Sequence, residues 1–155
     1  MIVIDENLHD LRILDAISEW YPGQVVSVVT LRPDSVIKDD AIAALLLKAE
    51  QPTFVTINAA DFWKRIQPHH GYCVIVADLP KERAREVPAL LRRFFRLSDF
   101  KAKASRMGKI IRLTLKASNI MRLTGAFSRY NGNCFSMQLP RFLPRLPRLY
   151  DHRHD

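Results

Sequence analysis

The sequence contains little that would place the chain in a membrane, in a disulfide framework or around a zinc ion. Only two of its 155 residues are cysteines, and Cys73 lies in the apolar run YCVIVADL, where we expect a reduced, buried thiol. The pair His69 and His70 has no cysteine or second histidine pair at a spacing suited to zinc. No apolar run approaches the length of a membrane span, and no signal-peptide pattern begins the chain. We therefore expect a soluble, cytoplasmic protein with no contact to a membrane.

The charge is divided unevenly between the two halves of the chain. Residues 1–80 contain six Lys or Arg against eleven Asp or Glu, a net charge of −5, whereas residues 81–155 contain eighteen against five, a net charge of +13. This division is typical of a protein that gathers a metal ion at one end and a polyanion at the other. A solvated basic surface with a flexible basic tail would give the same count.

Apolar strands alternate with amphipathic helices through the first eighty residues. Four runs predict buried strands: IVID, QVVSVVTL, TFVTIN and YCVIVADL. Between them, LHDLRILDAISEW and DSVIKDDAIAALLLKAE have helical spacing, and the first of these predicts a face made of Leu8, Leu11, Leu14, Ile17 and Trp20. Nearly continuous apolar strands that alternate with helices favour a parallel sheet covered on both faces. We therefore predict an α/β fold.

The second half changes in character after one further helix. The stretch KERAREVPALLRRFF predicts a helix over residues 82–95 that Pro88 bends or divides, and GKIIRLTLKASNIMRLTG reads as two alternating strands around a turn, a basic hairpin. Proline, arginine and apolar residues alternate in LPRFLPRLPRLYDHRHD, which is typical of an extended or disordered tail. We predict a domain at residues 1–124 and a basic, Pro/Arg-rich tail at residues 125–155.

Acidic and small polar residues stand where several predicted strands end or helices begin. In a parallel sheet, ligands bind beyond the carboxyl ends of the strands, and Asp5 and Glu6 stand at the end of the first strand. Neighbouring strand residues point to opposite faces, so we expect Asp5 to enter a site and Glu6 to support it or to face solvent. Further polar residues at such positions are Asp39, Asp40, Thr56, Asn58, Asp61 and Asp78.

A cation is one reason to bring several of these carboxylates together. Like charges held close to one another are costly unless a cation neutralises them, and a site made of oxygen ligands indicates Mg²⁺ or Mn²⁺ rather than zinc. A purely structural interpretation is also open, because acids are common in the first turn of helices and small polar residues are common in turns.

The order of these motifs resembles that of the PIN-like nucleases. The chain has DEN at the first strand, an SxxxDD start of the second helix and a TxNxxDF segment after the third strand. Within the family it is most similar to small bacterial PIN-like proteins of toxin-related type, over residues 1–124 and including the GKIIRL region. The resemblance implies a three-layer α/β/α PIN-like fold with a small, mainly parallel sheet and a C-terminal basic hairpin and tail. It also implies acids that bind a divalent metal and an activity that cuts RNA.

Carried over by position, the resemblance assigns each site residue a role. Asp5, Asp40 and Asp61 would be the catalytic acids that hold Mg²⁺ or Mn²⁺, with Asp39 as the alternative to Asp40. Asn58 would be a further metal ligand, and Thr56 would support the site. Glu6 and Asp78 are candidate supporting acids because of their places at the ends of the first and fourth strands, and not because of the resemblance. Asn58 departs from the family pattern, because related sequences often carry an acid there. An amide can donate an oxygen to a metal but brings no charge, which puts activity in question more than fold.

These observations lead to a primary function and two alternatives. The first is a metal-dependent ribonuclease that hydrolyses phosphodiesters, the toxin of a toxin–antitoxin pair, with an antitoxin protein as partner and a homodimer left open. The second is a non-catalytic nucleic-acid-binding or protein-interaction module on a degenerate PIN-like fold. A response-regulator-like receiver would need an aspartate at the end of the third strand, and TIN has none. In either of the first two functions, a cluster of basic residues would hold the phosphate backbone of RNA. These residues are Arg92, Arg93, Arg96, Lys101, Lys103 and Arg106.

Overall fold

Strands and helices alternate along the chain, as the apolar runs predict. The structure is a computed structural model that describes residues 1–31, 39–58, 66–115 and 121–128. Its strands are β1 (Ile2–Ile4), β2 (Val25–Ser27), β3 (Thr53–Thr56), β4 (Cys73–Asp78), β5 (Lys109–Leu115) and β6 (Met121–Ser128). Its helices are α1 (Leu11–Ser18), α2 (Val28–Leu31), α3 (Asp39–Lys48), α4 (Val87–Phe95), α5 (Ser98–Lys101) and α6 (Lys103–Arg106), and 3₁₀ turns lie at Glu6–Leu8 and Lys81–Glu86.

The strands form one sheet in the order β2-β1-β3-β4-β5-β6. The first five strands are mutually parallel, and β6 pairs with β5 in the antiparallel direction. The prediction of an α/β fold with a mainly parallel sheet is therefore confirmed. The predicted basic hairpin corresponds to β5 and β6, but β5 also pairs with β4, so the hairpin is part of the central sheet and not an addition to it. Strand β6 extends past residue 124 as far as Ser128.

Helices cover both faces of the sheet, and each face has its own core. On one face, Ile2, Ile4 and Ile75 of the strands pack with residues of α1 and α4, such as Ile17 and Phe94. On the other face, alternate strand residues pack against α3: Val3, Phe54, Val74 and Ile110 with Ile42 and Leu46. Because the strands are buried on both faces, their sequences are nearly continuously apolar. We call these two sides the α1 face and the α3 face.

The buried face of helix α1 differs from the apolar face that the sequence predicts. Ile13 and Ile17 are its buried residues, Leu14 packs partly against the core, and Leu11 is 72% exposed. The prediction that Leu11 shares the buried face is wrong. The helix begins only at Leu11, because the Asp10 side chain accepts a hydrogen bond from the backbone N–H of Arg12 and caps it there.

Two predicted elements are divided in the structure. The run QVVSVVTL leaves the sheet after Ser27 and forms the short helix α2, where the Ser27 hydroxyl accepts a hydrogen bond from Val29 N–H at 3.3 Å. The helix predicted over residues 82–95 is a 3₁₀ turn followed by α4, and Pro88 lies in the first turn of α4. Proline is tolerated there because those N–H groups have no partner within the helix.

None of the helices in the described ranges combines the length and the apolar character that spanning a bilayer requires.

Candidate active site at the carboxyl edge of the sheet

The strand order creates a crevice between β1 and β3. Strand β2 lies on one side of β1 and β3 on the other, so the chain leaves these neighbouring strands in opposite directions. In open α/β sheets, ligands bind at such a switch point, beyond the carboxyl ends of the strands. Asp5 directly follows β1, and Thr56 is the last residue of β3. Both therefore lie where the fold provides room for a ligand.

Asp5 is held in place by hydrogen bonds from three directions. Its carboxylate is buried, with 2% of the residue exposed. Oδ1 accepts from the backbone N–H of Glu6 at 2.8 Å, which caps the 3₁₀ turn, and Oδ2 accepts from the Thr56 hydroxyl at 2.6 Å and from Asn7 Nδ2 at 3.3 Å. A buried carboxylate is costly unless such donors replace water. The short DEN segment therefore fixes the orientation of the acid.

Thr56 and Asn58 extend this arrangement along β3. Thr56 is fully buried, and its Oγ1 accepts a hydrogen bond from the backbone N–H of Asn58 at 3.0 Å while donating to Asp5. The structure thus brings together Asp5, Thr56 and the backbone of Asn58, three positions that the sequence assigns to one site. Glu6 is exposed at the start of the 3₁₀ turn and contributes its backbone N–H to the site.

Asp78 lies on the same face of the sheet, two strands away. It is the last residue of β4, and its Oδ2 accepts from Arg112 Nη2 at 2.7 Å and from Arg112 Nε at 3.1 Å. The guanidinium therefore balances the charge of this carboxylate. The sequence names Asp78 as a supporting acid, but it gives no role to Arg112. The one sequence signal is alternation, which places Arg112 on the same side of its strand as the core residue Ile110.

The remaining predicted acids fall outside what the structure describes. Asp61 lies outside the described residues, and the side chains of Asp39 and Asp40 are likewise not described. The backbone places both at the start of α3, which packs on the same face as Asp5 and Thr56. Because α3 connects the parallel strands β2 and β3, it begins at the carboxyl edge of the sheet.

The described donors match a hard divalent cation in type but are few in number. Asp5, Thr56 and Asn58 offer carboxylate, hydroxyl and amide oxygens, which suit Mg²⁺ or Mn²⁺. Within the described ranges, no group of three or more His, Cys, Asp or Glu side chains lies close enough to hold a metal ion. A metal centre at Asp5 would therefore need further acids, and the resemblance assigns these to Asp40 and Asp61.

A small cavity with both polar and apolar walls lies at the same edge, towards the α1 face. Its volume is about 250 Å³, and it lies between the two 3₁₀ turns. Asn7, whose amide contacts Asp5, forms part of its wall, together with Asp10, Lys81, Glu82 and Arg85. These side chains carry both signs of charge, so the cavity does not select an anion or a cation by charge alone.

The predicted phosphate-binding residues lie at the opposite edge of the sheet. Arg92, Arg93 and Arg96 are exposed at the end of α4, and Lys101 is exposed at the end of α5. Lys103 donates to the carbonyl of Glu50, just before β3. Burial, followed by the charges of Lys103 and Arg106, lowers the pKa of the Met1 amine, which precedes β1. These groups therefore surround the amino ends of the strands, away from Asp5.

Arg106 is a buried residue and not an exposed phosphate ligand. Only 3% of it is exposed, and its Nη1 donates to the carbonyl oxygens of Phe100 and Lys101. Its guanidinium carbon lies 4.1 Å from the centre of the Phe95 ring. The expectation that Arg106 offers its charge to RNA is corrected by this placement, because the side chain already holds the ends of α4 and α5 against α6.

Comparison with known proteins adds no relative. No protein-family model matches the chain, and neither a curated protein nor a solved structure is significantly similar to it. The resemblance to PIN-like nucleases therefore stays a prediction. The order β2-β1-β3-β4-β5 also occurs in flavodoxin-like proteins, including receivers, but strand order defines the fold and not the function. Thr56 stands at the end of β3, where a receiver would need its aspartate.

Proposed function

We propose that this protein is a metal-dependent ribonuclease whose acid site lies at the carboxyl edge of the sheet. The observation that carries the proposal is the buried Asp5 carboxylate, held by Thr56 at the switch point between β1 and β3. The switch point of a parallel sheet is where such folds bind ligands, and carboxylate oxygens are ligands that Mg²⁺ and Mn²⁺ prefer. A carboxylate fixed at this place is therefore suited to binding a divalent cation.

The proposed roles follow from the placement of each residue. Asp5 would be the central metal ligand, with Asp40, Asp61 and Asn58 completing the oxygen ligands as the resemblance implies. Thr56 fixes the orientation of Asp5, so that the ligand needs little rearrangement when a cation binds. The bound cation would lower the pKa of a water molecule and stabilise the negative charge that develops on the phosphate. None of the side chains needs to form a covalent bond to RNA.

The charge distribution supports RNA as the substrate. Residues 81–155 have a net charge of +13. Within the described part, the exposed arginines at the end of α4 form a basic surface at the edge of the sheet opposite Asp5, where they could hold an RNA strand at a distance from the acid site. Contacts of this type attract the phosphate backbone with little preference for sequence and weaken as salt rises. The toxin of a toxin–antitoxin pair, inhibited by a protein partner, is the biological setting that the resemblance suggests for such an activity.

A second candidate function is RNA binding without cleavage. The observation that favours it is the small number of acids that the described ranges offer to a cation: Asp78 is neutralised by Arg112, and an amide stands at position 58. If Asp40 and Asp61 do not join Asp5, one carboxylate is left to hold Mg²⁺, which is fewer acids than the resemblance implies for cleavage.

Cleavage of labelled single-stranded RNA separates the two functions. We expect wild-type protein to cut RNA in Mn²⁺ or Mg²⁺ and to lose this activity in EDTA and in the Asp5→Asn variant. Asp15→Asn, which removes an exposed carboxylate of α1, is the matched control and should cut like the wild type. RNA binding without metal-dependent cleavage would establish the second function. If the protein neither binds nor cuts RNA, both functions are excluded.

A further inference from the structure

One row of the sheet connects the acid site to an arginine on the same face. The strand register pairs Thr56 of β3 with Val76 of β4, and Val76 with Arg112 of β5. On the other side, Ile4 pairs with Val55, and the N–H of Asp5 donates to the Val55 carbonyl, which places Asp5 beside Thr56. Neighbouring strands lie ~4.8 Å apart, so the backbones of Asp5 and Arg112 are separated by about 14 Å.

These residues share the α3 face. Two positions earlier in each strand, Val3, Phe54, Val74 and Ile110 all belong to the core beneath α3. Because side chains alternate along a strand, the row from Asp5 to Arg112 lies on that side too. From β1 to β5, the side chains of this row are the Asp5 carboxylate, the Thr56 hydroxyl, Val76 and the Arg112 guanidinium. The acid and the cation therefore flank a short apolar floor at the carboxyl edge.

Arg112 has donors left after it binds Asp78. Both of its contacts, from Nε and Nη2, go to the same oxygen of Asp78. Nη1 has no partner within the described part of the chain, and the Arg112 side chain is 40% exposed. A guanidinium has five N–H donors in a planar fork that fits two oxygens of a phosphate. Asp78 fixes one edge of the fork and leaves the other edge for a ligand.

A bulge in β6 lies directly beside Arg112. Ile111 pairs with Ala126 and Arg112 with Thr124, so Gly125 is an extra residue between these partners. Bulges increase the local twist and change the direction of neighbouring side chains, and they often occur next to functional sites. This irregularity is an observation independent of the ion pair.

We infer that Arg112, oriented by Asp78, binds a phosphate of the RNA strand next to the phosphate at the acid site. The inference rests on the proposed function and adds a positioning residue to it. The exposed arginines of α4 lie at the amino edge of the sheet and cannot supply this contact, whereas Arg112 lies on the face and edge of Asp5. Asp78 balances the guanidinium charge in the free protein, and the RNA phosphate then shares the same cation.

Substitution of each member of the ion pair should change the RNA affinity in opposite directions. The affinity for a short fluorescent single-stranded RNA is measured by anisotropy in EDTA over a series of salt concentrations. We expect Arg112→Gln to weaken binding about three- to tenfold and to reduce the slope of log affinity against log salt by about 0.7, as the loss of one phosphate contact does in single strands. We expect Asp78→Asn to bind about twofold more tightly, because a carboxylate next to the phosphate is removed.

Arg83 and Glu86 provide the matched controls. They form an exposed ion pair on the second 3₁₀ turn, so Arg83→Gln and Glu86→Gln make the same charge changes away from the row. We expect both variants to bind RNA like the wild type. A pair with a purely structural role would lower the unfolding temperature in both Arg112→Gln and Asp78→Asn and leave RNA affinity unchanged in both.

Each outcome decides the inference. Equal weakening in Arg112→Gln and Arg83→Gln would mean a general charge effect and would overturn it, as would unchanged affinity in Arg112→Gln. If Arg112→Gln does not fold, Asp78→Asn remains decisive, since weaker or unchanged binding contradicts a shared cation. The proposed function fails separately, when wild-type protein does not cut RNA in Mn²⁺ or Mg²⁺. Wild-type cleavage with unaltered Arg112→Gln affinity would refute only the role of Arg112.

Discussion

The hydroxyl of Thr56 donates a 2.6 Å hydrogen bond to Oδ2 of Asp5, across 51 positions of sequence. This contact joins the residue after β1 to the last residue of β3, and both side chains are buried. It exists because β3 is inserted next to β1 in the sheet. The pair holds a carboxylate at the place where the fold can receive a ligand, and the proposed metal-dependent activity starts from it.

Thr56→Val removes this hydroxyl at nearly constant shape. We expect a loss of about 1–3 kcal/mol in the free energy of unfolding, because a buried carboxylate loses a donor and the Asn58 N–H loses an acceptor. Thr56→Ser keeps the hydroxyl and should lose clearly less. Urea denaturation of both variants measures the difference. Equal stability of the Val and Ser variants would show that the hydrogen bond does not stabilise Asp5.

Helix α1 offers a comparison between an exposed and a buried apolar residue. Ile17→Ala should cost about 2–5 kcal/mol of unfolding free energy, since Ile17 is fully buried and its truncation leaves a cavity. Leu11→Ala should change the stability by less than about 0.5 kcal/mol, because Leu11 is mostly exposed. Urea denaturation tests both. A large loss in Leu11→Ala would restore the apolar face that the sequence predicts.

Arg106 should behave as a structural arginine. Arg106→Met keeps much of the side-chain volume but leaves two carbonyls without their donor, so we expect a loss of about 1–3 kcal/mol in unfolding free energy. Arg93→Met, on the exposed side of α4, should change stability by less than about 0.5 kcal/mol. Thermal unfolding followed by circular dichroism compares them. Wild-type stability in Arg106→Met would argue against the packing described here.

Cys73 should be unreactive in the folded protein. Burial raises the pKa of its thiol to about 12, whereas the thiol titrates near its ordinary value once the chain unfolds. In a Cys134→Ser background, a thiol reagent at pH 8 should label Cys73 in urea and not in buffer. Rapid labelling of the native protein would contradict the burial of this residue.

The same shift has a consequence for stability at high pH. The folded protein keeps the Cys73 proton above pH 9, whereas the unfolded chain loses it. The contribution of the protonated thiol to the free energy of unfolding is therefore fully present below about pH 9 and falls as the pH rises towards 12. The unfolding free energy of the wild type should therefore fall more steeply above pH 9 than that of Cys73→Ala, by up to about 1.4 kcal/mol per pH unit. Parallel pH profiles would contradict the raised pKa.

The local sequence predicts most of the sheet but not every boundary. The runs IVID, TFVTIN and YCVIVADL are apolar at consecutive positions because their strands are buried on both faces. The end of β2 was not predictable from β-branched residues, since Val28 and Val29 favour a strand and the turn at Ser27 overrides them. Leu11 is exposed because α1 begins at this residue, where Asp10 caps the helix, and the buried residues of α1 are Ile13 and Ile17.

The site could be predicted in part, for a physical reason. Asp5 and Thr56 end apolar runs, and parallel strands bring their carboxyl ends to one edge, so their proximity follows from the predicted class of fold. The order of strands does not follow from periodicity, and Arg112 meets Asp78 only because β5 lies next to β4. In the sequence, Arg106 is one of several neighbouring basic residues, and nothing local indicates that it stacks on Phe95 and becomes buried.

Binding of Mn²⁺ tests the central claim most directly, because it does not depend on which RNA the protein cuts. The loss of the free Mn²⁺ signal in electron paramagnetic resonance measures the affinity of the wild type, of Asp5→Asn and of the Asp15→Asn control. We predict that the wild type and the control bind Mn²⁺ alike and that Asp5→Asn binds it about tenfold more weakly or not at all. Absence of binding in the wild type, or equal binding in a folded Asp5→Asn, would contradict a metal-dependent site at Asp5.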